Sequence, residues 1–274
     1  MQLLLIGGDA RMKCLAGLAR ARGHEALLLG HGETLLSEAA PCDRVVLPFP
    51  AAVVEGMVPS PLVQEKLPVE SILPLIAPGA TVFATNPGTA LLQYIQKHDC
   101  TRVDFQDSEA FLTRNAVPSA EGAILALMSR SPACVGGSQC AIVGYGRIGR
   151  ALALRLRSLG ARVTVAARSA AARANAENDG CAAIPMNALH KANVFRYMIN
   201  TVPAPVVGRK ALLALPKNAL VVDLASAPYG VDLEAASALH IEAWREPSLP
   251  GRHFPETAAA AMLAVIDEEW SVTT

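Results

Sequence analysis

The sequence has no excess of either charge: 24 lysines and arginines balance 24 aspartates and glutamates over 274 residues. A chain that tracks a phosphate backbone carries a basic face, so nucleic acid is not expected as a partner. Long apolar runs are missing too. Leu3-Leu4-Leu5-Ile6 is stopped by Gly7-Gly8-Asp9, and Ala258 to Ile266 is also too short to cross a bilayer. A soluble, cytoplasmic protein is therefore expected. The cysteines Cys14, Cys42, Cys100, Cys134, Cys140 and Cys181 include no C-x-x-C pair. They read as reduced thiols rather than a disulfide or zinc framework. The six histidines show no H-E-x-x-H spacing, so no metal is expected.

With 52% hydrophobic and 18% charged residues, the chain suits a well-buried α/β protein of two ordinary domains. Its organising stretch is Cys140 to Arg150. An apolar strand leads into Gly144-Tyr145-Gly146-Arg147-Ile148-Gly149, a helix follows, and a second strand ends at Arg168-Ser169. This β-α-β unit with G-x-G-x-x-G at its first turn predicts a dinucleotide site. Gly144 permits the turn, Gly146 admits the pyrophosphate, and Gly149 lets the helix approach the strand. Free N–H groups at the helix start favour the anion, with Arg147 and Ile148 in its first turn. The second strand lacks the acidic residue that would hold the ribose 2′-hydroxyl of NAD. Arg168 and Ser169 stand there, with Arg173 one helical turn later, and a guanidinium suits a 2′-phosphate. NADP is therefore expected as the cofactor. Arg168 can alternatively be an exposed strand-end charge.

Upstream, the first ~110 residues alternate strand and helix, which predicts a parallel sheet covered on both faces. Their opening turn, Gly7-Gly8-Asp9-Ala10-Arg11, is no dinucleotide pattern. Asp9 and Arg11 lie where parallel sheets place ligands, although Asp9 can simply cap the following helix. Ser119 is read as the N-cap of a helix over Ala123 to Met128. The start of that helix would bind a carboxylate from an interdomain cleft, unless the helix only links the domains. Downstream, strand tips at Thr201-Val202-Pro203 and Asp223 to Ser226 are expected near the nicotinamide, with Thr201 and Ser226 bonding to it. Asp223 is either a functional carboxylate or a turn cap. Leu249 to Thr257 is read as a loop before an amphipathic closing helix.

Several of these stretches together carry a family likeness. Ile6 to Arg11 (I-G-G-D-A-R), Val117 to Gly122 (V-P-S-A-E-G), Gly144 to Gly149 (G-Y-G-R-I-G) and Ala167 to Ser169 (A-R-S) are four of them. Asn200 to Pro203 (N-T-V-P), Asp223 to Ser226 (D-L-A-S) and L-P-G…P-E-T-A over Leu249 to Ala258 are three more. The chain resembles the A-subunit family of dipicolinate synthase over essentially its whole length. The family pattern near the last loop resembles P-G-x-x-x-P-K-T-A-G; here Glu256 replaces the Lys and Ala259 the last Gly.

The resemblance implies an enzyme of spore formation, in the mother cell. It would turn 4-hydroxy-tetrahydrodipicolinate, a branch-point compound of the lysine pathway, into pyridine-2,6-dicarboxylate, with NADP as hydride acceptor. The flavoprotein-like B-subunit of dipicolinate synthase is the implied partner; homo-oligomerisation is left open. The expected fold is α/β: two Rossmann-like domains with parallel sheets and an interdomain cleft, arranged as in formate and glycerate dehydrogenases. The substrate domain would cover residues 1–114 and the NADP domain 115–255, with a closing helix over 256–274 packed back on the first. A dicarboxylate calls for cations, hydroxyls and helix starts; Asp9, Arg11, Ser119, Arg252 and Thr257 are the expected contacts. Arg147 serves either the substrate or the pyrophosphate. Glu121 and Asp223 are the candidates for proton transfer. Other NADP-dependent dehydrogenases need a His–Glu or Lys–Asp arrangement that is not evident, and a non-catalytic NADP-binding protein is the alternative of another class.

Overall fold

Strands such as Leu3 to Ile6, buried at every position, are apolar without alternation and can sit only in a sheet covered on both faces. The structure, a computed structural model, describes residues 2–32, 39–62, 67–191 and 193–273. It divides into two units, Met1–Asn115 with Pro250–Thr274, and Ala116–Leu249.

In the first unit the elements run β1 (Gln2–Ile6), α1 (Ala10–Ala21), β2 (Glu25–Leu29), β3 (Cys42–Val46), β4 (Met57–Val58), β5 (Leu67–Pro68) and α2 (Val69–Ile72). They continue with β6 (Ile76–Phe83), α3 (Gly88–Lys97) and β7 (Thr101–Val103). α2 is only one turn, because Pro74 in the following 3-10 turn removes a backbone donor and β6 already starts at Ile76. The main sheet has the order β2-β1-β3-β6-β7, all parallel. This is the doubly wound order of flavodoxin-like folds, and its direction of winding reverses between β1 and β3. One face packs on α1 and on α10 (Pro255–Thr273), through Leu15, Met262 and Ile266 among others. The His24 and Trp270 rings meet at 4.3 Å, and Arg22 pairs with Asp267.

α4 (Glu109–Arg130) carries the chain across the division. The reading of Ser119 as an N-cap is corrected here. The helix starts ten residues earlier, where Ser108 Oγ accepts a bond from Phe111 N at 3.1 Å. Pro118 lies inside it. One missing N–H is tolerated in a long helix whose face, including Ala120, Ala123 and Leu127, is buried.

The second unit contains β8 (Gln139–Val143), α5 (Arg147–Ser158), β9 (Arg162–Ala167), α6 (Ala170–Asn178) and β10 (Ala182–Pro185). β11 (Tyr197–Asn200), α7 (Arg209–Leu213), β12 (Leu220–Asp223), α8 (Leu233–Ala238) and β13 (Glu242–Arg245) follow. Their order, β10-β9-β8-β11-β12-β13, is all parallel and is that of the dinucleotide-binding Rossmann sheet. The fold class is α/β with parallel, Rossmann-like sheets. The stretch read as a loop from Leu249 instead forms α9 (Leu249–His253) before α10. Pro250 is compatible with it because the first turn of a helix needs no N–H partner.

Candidate functional site

The second sheet reverses its winding between β8 and β11, and the glycine turn leaves β8 at that point. Gly144 has φ +96°, and a Cβ there would meet the Thr201 and Val202 side chains. A Cβ on Gly149 would strike the Gly144 carbonyl. Packing therefore demands both glycines. Gly146 differs: its φ is −84°, it is the N-cap of α5, and no protein atom lies within 4 Å of where its Cβ would stand. Neither backbone conformation nor packing requires glycine there, and the missing Cβ leaves the helix start open to a ligand.

Thr201 closes the other side of the switch point, with its N and Oγ1 both donating to the Val143 carbonyl at 2.9 Å. Val202 and Pro203 follow as a half-buried and an exposed residue. Ile148 packs beneath the turn against the core, and Arg147 is exposed at the first position of α5.

At the tip of β9 the three residues expected to hold a 2′-phosphate do not assemble as a set. Ser169 caps α6, accepting from Ala172 N at 3.1 Å. Arg173 turns back, its Nη1 donating to the carbonyls of Ala167 (3.0 Å) and Arg168 (2.9 Å). Arg168 is exposed.

Asp223, 1% exposed at the end of β12, accepts four bonds. Asn200 Nδ2 and Ala225 N reach Oδ1 at 2.7 and 3.1 Å. Gly230 N and Val231 N reach Oδ2 at 2.8 and 2.9 Å. Of the two readings of Asp223, this geometry is that of the turn cap: the carboxylate shapes the segment from Leu224 to Val231, on which Ser226 is exposed. The reading missed Asn200. It is fully buried and links the two strand tips, donating also to Val202 O at 3.0 Å and accepting from Val202 N at 3.2 Å. A polar residue closing the apolar run of β11 was its visible signal. Glu121, the other expected carboxylate, lies exposed on α4 and accepts from Arg155 Nε at 2.9 Å.

The first unit has a cluster at its own switch point, between β1 and β3. Asp9 caps α1 through Arg11 N, and Arg11 Nε and Nη2 each donate to its carboxylate at 2.8 Å. Arg11 Nη2 also donates to Phe49 O at 2.6 Å, and the guanidinium lies 5.8 Å from the Phe49 ring centroid. Burial pushes the Asp9 carboxyl up, but the bonds and charge of Arg11 outweigh it and hold the group below its ordinary range. Arg11, expected among the ligand contacts, is thus a buried and oriented cation, only 7% exposed.

Gly251 packs its backbone on this pair: a Cβ there would meet Asp9 Oδ2 and Arg11 Nε. Phe49 and Gly251 were not anticipated, because nothing local in the sequence ties them to residue 11. Arg252 and Thr257 are exposed in α9 and the first turn of α10. Ser119 is mostly buried inside α4 and offers no helix start. Among the described residues, no group of three His, Cys, Asp or Glu could hold a metal.

Comparison with known proteins bears on both units. Residues 125–239 match the family described as D-isomer specific 2-hydroxyacid dehydrogenase, NAD binding domain. The chain is 28% identical over 287 residues to the A-subunit of dipicolinate synthase from Bacillus subtilis (strain 168), covering 98% of this chain and 95% of that protein. The crystal structure of the corresponding dipicolinate synthase protein from Bacillus halodurans is 26% identical with a TM-score of 0.85, covering 97% of this chain and 96% of that one. The chain is thus similar over nearly its whole length to A-subunits of dipicolinate synthase. The crystal structure of the B. subtilis protein, at 24% identity, a TM-score of 0.85 and coverage of 99% and 96%, shares the fold.

The match to an NAD binding domain overturns the expectation of NADP. The three groups expected to form a phosphate site do not assemble as one: Ser169 Oγ caps α6, and Arg173 Nη1 is turned back onto the carbonyls at the tip of β9. The membership of the oxidoreductase-like superfamily stands. No described helix is long and apolar enough to cross a membrane.

Proposed function

We propose that this chain is an NAD-dependent oxidoreductase that forms pyridine-2,6-dicarboxylate from 4-hydroxy-tetrahydrodipicolinate. The observation that carries the reading is Gly146, which leaves the start of α5 open to a pyrophosphate. Bound there, NAD supplies a two-electron acceptor at its nicotinamide. The N–H groups of the first turn of α5 hold the pyrophosphate, with Arg147 beside them. Ser169 already accepts from Ala172 N, which leaves its O–H to donate to the adenosine ribose in place of the missing carboxylate. Thr201, Val202 and Pro203 close the nicotinamide side, and Ser226 is presented by the segment that Asp223 sets. Asp223 is thus a positioning residue.

The overall reaction balances as loss of water from the hydroxylated ring, then loss of one hydride and one proton to give the aromatic dicarboxylate. Gain of aromaticity drives the second stage, so the chain's main tasks are binding and orientation. Arg11 is suited to one substrate carboxylate: Asp9 fixes its plane, and its Nη1 makes no hydrogen bond among the described residues. Arg252 and Thr257 are proposed as further carboxylate contacts. The relatives are named as one of two or more lettered components, and the proposed partner of this chain is the second such component, the B-subunit. The working place is the mother cell of a sporulating bacterium.

The test is to mix the chain with NAD and the hydroxylated cyclic imine, alone and with the cognate partner, and follow NADH and product absorbance. Stoichiometric appearance of both supports the reading. NAD binding without turnover in either mixture overturns it and leaves a non-catalytic dinucleotide-binding protein.

A further inference from the structure

The second unit has another pocket, at the opposite edge of its sheet. Arg196, Leu220 and Glu242 stand at the amino ends of β11, β12 and β13, whereas the glycine turn lies at the carboxyl ends. A cavity of about 310 Å³ opens there, lined by Arg130, Arg196, Lys217, His240 and Glu242 among others. That volume is within the range of small-molecule sites. Three cations, Arg130, Arg196 and Lys217, and one carboxylate, Glu242, line it together with His240.

Two of the cations have local partners. Arg130 ends α4, lies 4.2 Å from the Trp244 ring centroid and is 3.9 Å from Glu246. Lys217 Nζ donates to Leu239 O at 3.0 Å, just past the end of α8. Arg196 follows no α-helix end that would call for a positive charge. Its guanidinium lies 5.7 Å from the Tyr197 ring centroid, and its Nη1 is buried with no hydrogen-bond partner among the described residues. That nitrogen is thus shielded from solvent without an acceptor, while Arg196 as a residue lines the pocket as one of its cations. His240, held at φ +56°, stands at the same rim.

We propose that this pocket binds a small oxyanion of two or more negative charges, phosphate-bearing or polycarboxylate, independently of the dinucleotide. Arg196 is its central contact, Lys217 and His240 are at the rim, and Glu242 opposes it. The site does not depend on the proposed reaction, because it lies on the other edge of the sheet from every residue assigned to that reaction in this unit.

The experiment titrates the full chain, saturated with NAD, with inorganic pyrophosphate and separately with malonate at constant ionic strength, by calorimetry. Saturable binding of either probe with one site per chain is expected. Pyrophosphate alone would identify a phosphate-bearing ligand, and malonate alone a carboxylate. Arg196→Gln is expected to weaken binding about tenfold, the loss of one charge-assisted contact. Glu242→Gln, on an exposed residue, is expected to tighten it about threefold by removing a like charge, a gain that misfolding cannot imitate. Binding of neither probe, or binding that neither Arg196→Gln nor Glu242→Gln changes, overturns the proposal.

Discussion

Replacing Asp223 with asparagine separates a positioning role from a proton-transfer role. The carboxylate accepts from Asn200 Nδ2 and Ala225 N on one oxygen and from Gly230 N and Val231 N on the other. An amide keeps a single acceptor oxygen, so whichever way it turns, its NH2 faces two N–H donors. Each buried donor left unmade costs about 1–3 kcal/mol, so the pair costs about 4 kcal/mol. For a domain of this size each kcal/mol lowers Tm by roughly 3–5 °C, giving a fall of about 12–20 °C. The two tryptophans make this measurable unit by unit, since Trp244 lies in the second unit and Trp270 in the first. In a Trp270→Phe background, Trp244 emission during thermal unfolding should show the full shift in Asp223→Asn. In a Trp244→Phe background, Trp270 should report little change. NAD affinity should fall as well, because the segment carrying Ser226 loses its anchor. A variant with the parental Tm and NAD affinity, but with turnover reduced a hundredfold or more, would refute this reasoning and return Asp223 to proton transfer.

The glycine turn gives a paired prediction. Gly146→Ala should leave Tm within a few degrees, since its Cβ meets nothing, yet weaken NAD binding about a hundredfold by obstructing the pyrophosphate; unchanged affinity in calorimetry would refute the cradle. Gly149→Ala should instead destabilise the second unit by about 1–3 kcal/mol in urea unfolding, because its Cβ strikes the Gly144 carbonyl. Breaking the Asp9–Arg11 pair by Asp9→Asn should cost about 2–3 kcal/mol at neutral pH, read from Trp270 emission. Asp9 has its folded pKa below its unfolded value, so its contribution is complete above the unfolded value, about 4, and is lost as pH falls through the lower folded one. The gap between parent and variant should therefore close below about pH 4; a gap constant down to pH 2 would refute the ionic reading.

Much of this fold was legible because it is written in local patterns. Apolar runs such as Leu3 to Ile6 and Ala141 to Val143 declare doubly covered strands, and G-x-G-x-x-G between strand and helix declares the dinucleotide turn. Local signals failed where a local rule was overridden by packing. Ser119 reads as a helix cap, yet a buried apolar face carries α4 straight through it and through Pro118, from Glu109 to Arg130. Leu249-Pro250-Gly251 reads as a loop, yet forms α9. At β9, Arg168, Ser169 and Arg173 read as a phosphate site. The hydrogen bonds made by two of them depend on how the chain turns into α6, which residue identity does not state. The sequence by itself thus determined the two parallel-sheet architectures and the glycine turn between β8 and α5, since both follow from contacts between near neighbours in the chain. Only the tertiary structure decided that Phe49 and Gly251 meet Arg11, that Asn200 and Gly230 meet Asp223, and that Arg196, Lys217 and Glu242 share one pocket. These depend on strand order, and strand order is set by long-range pairing that no short window of residues encodes.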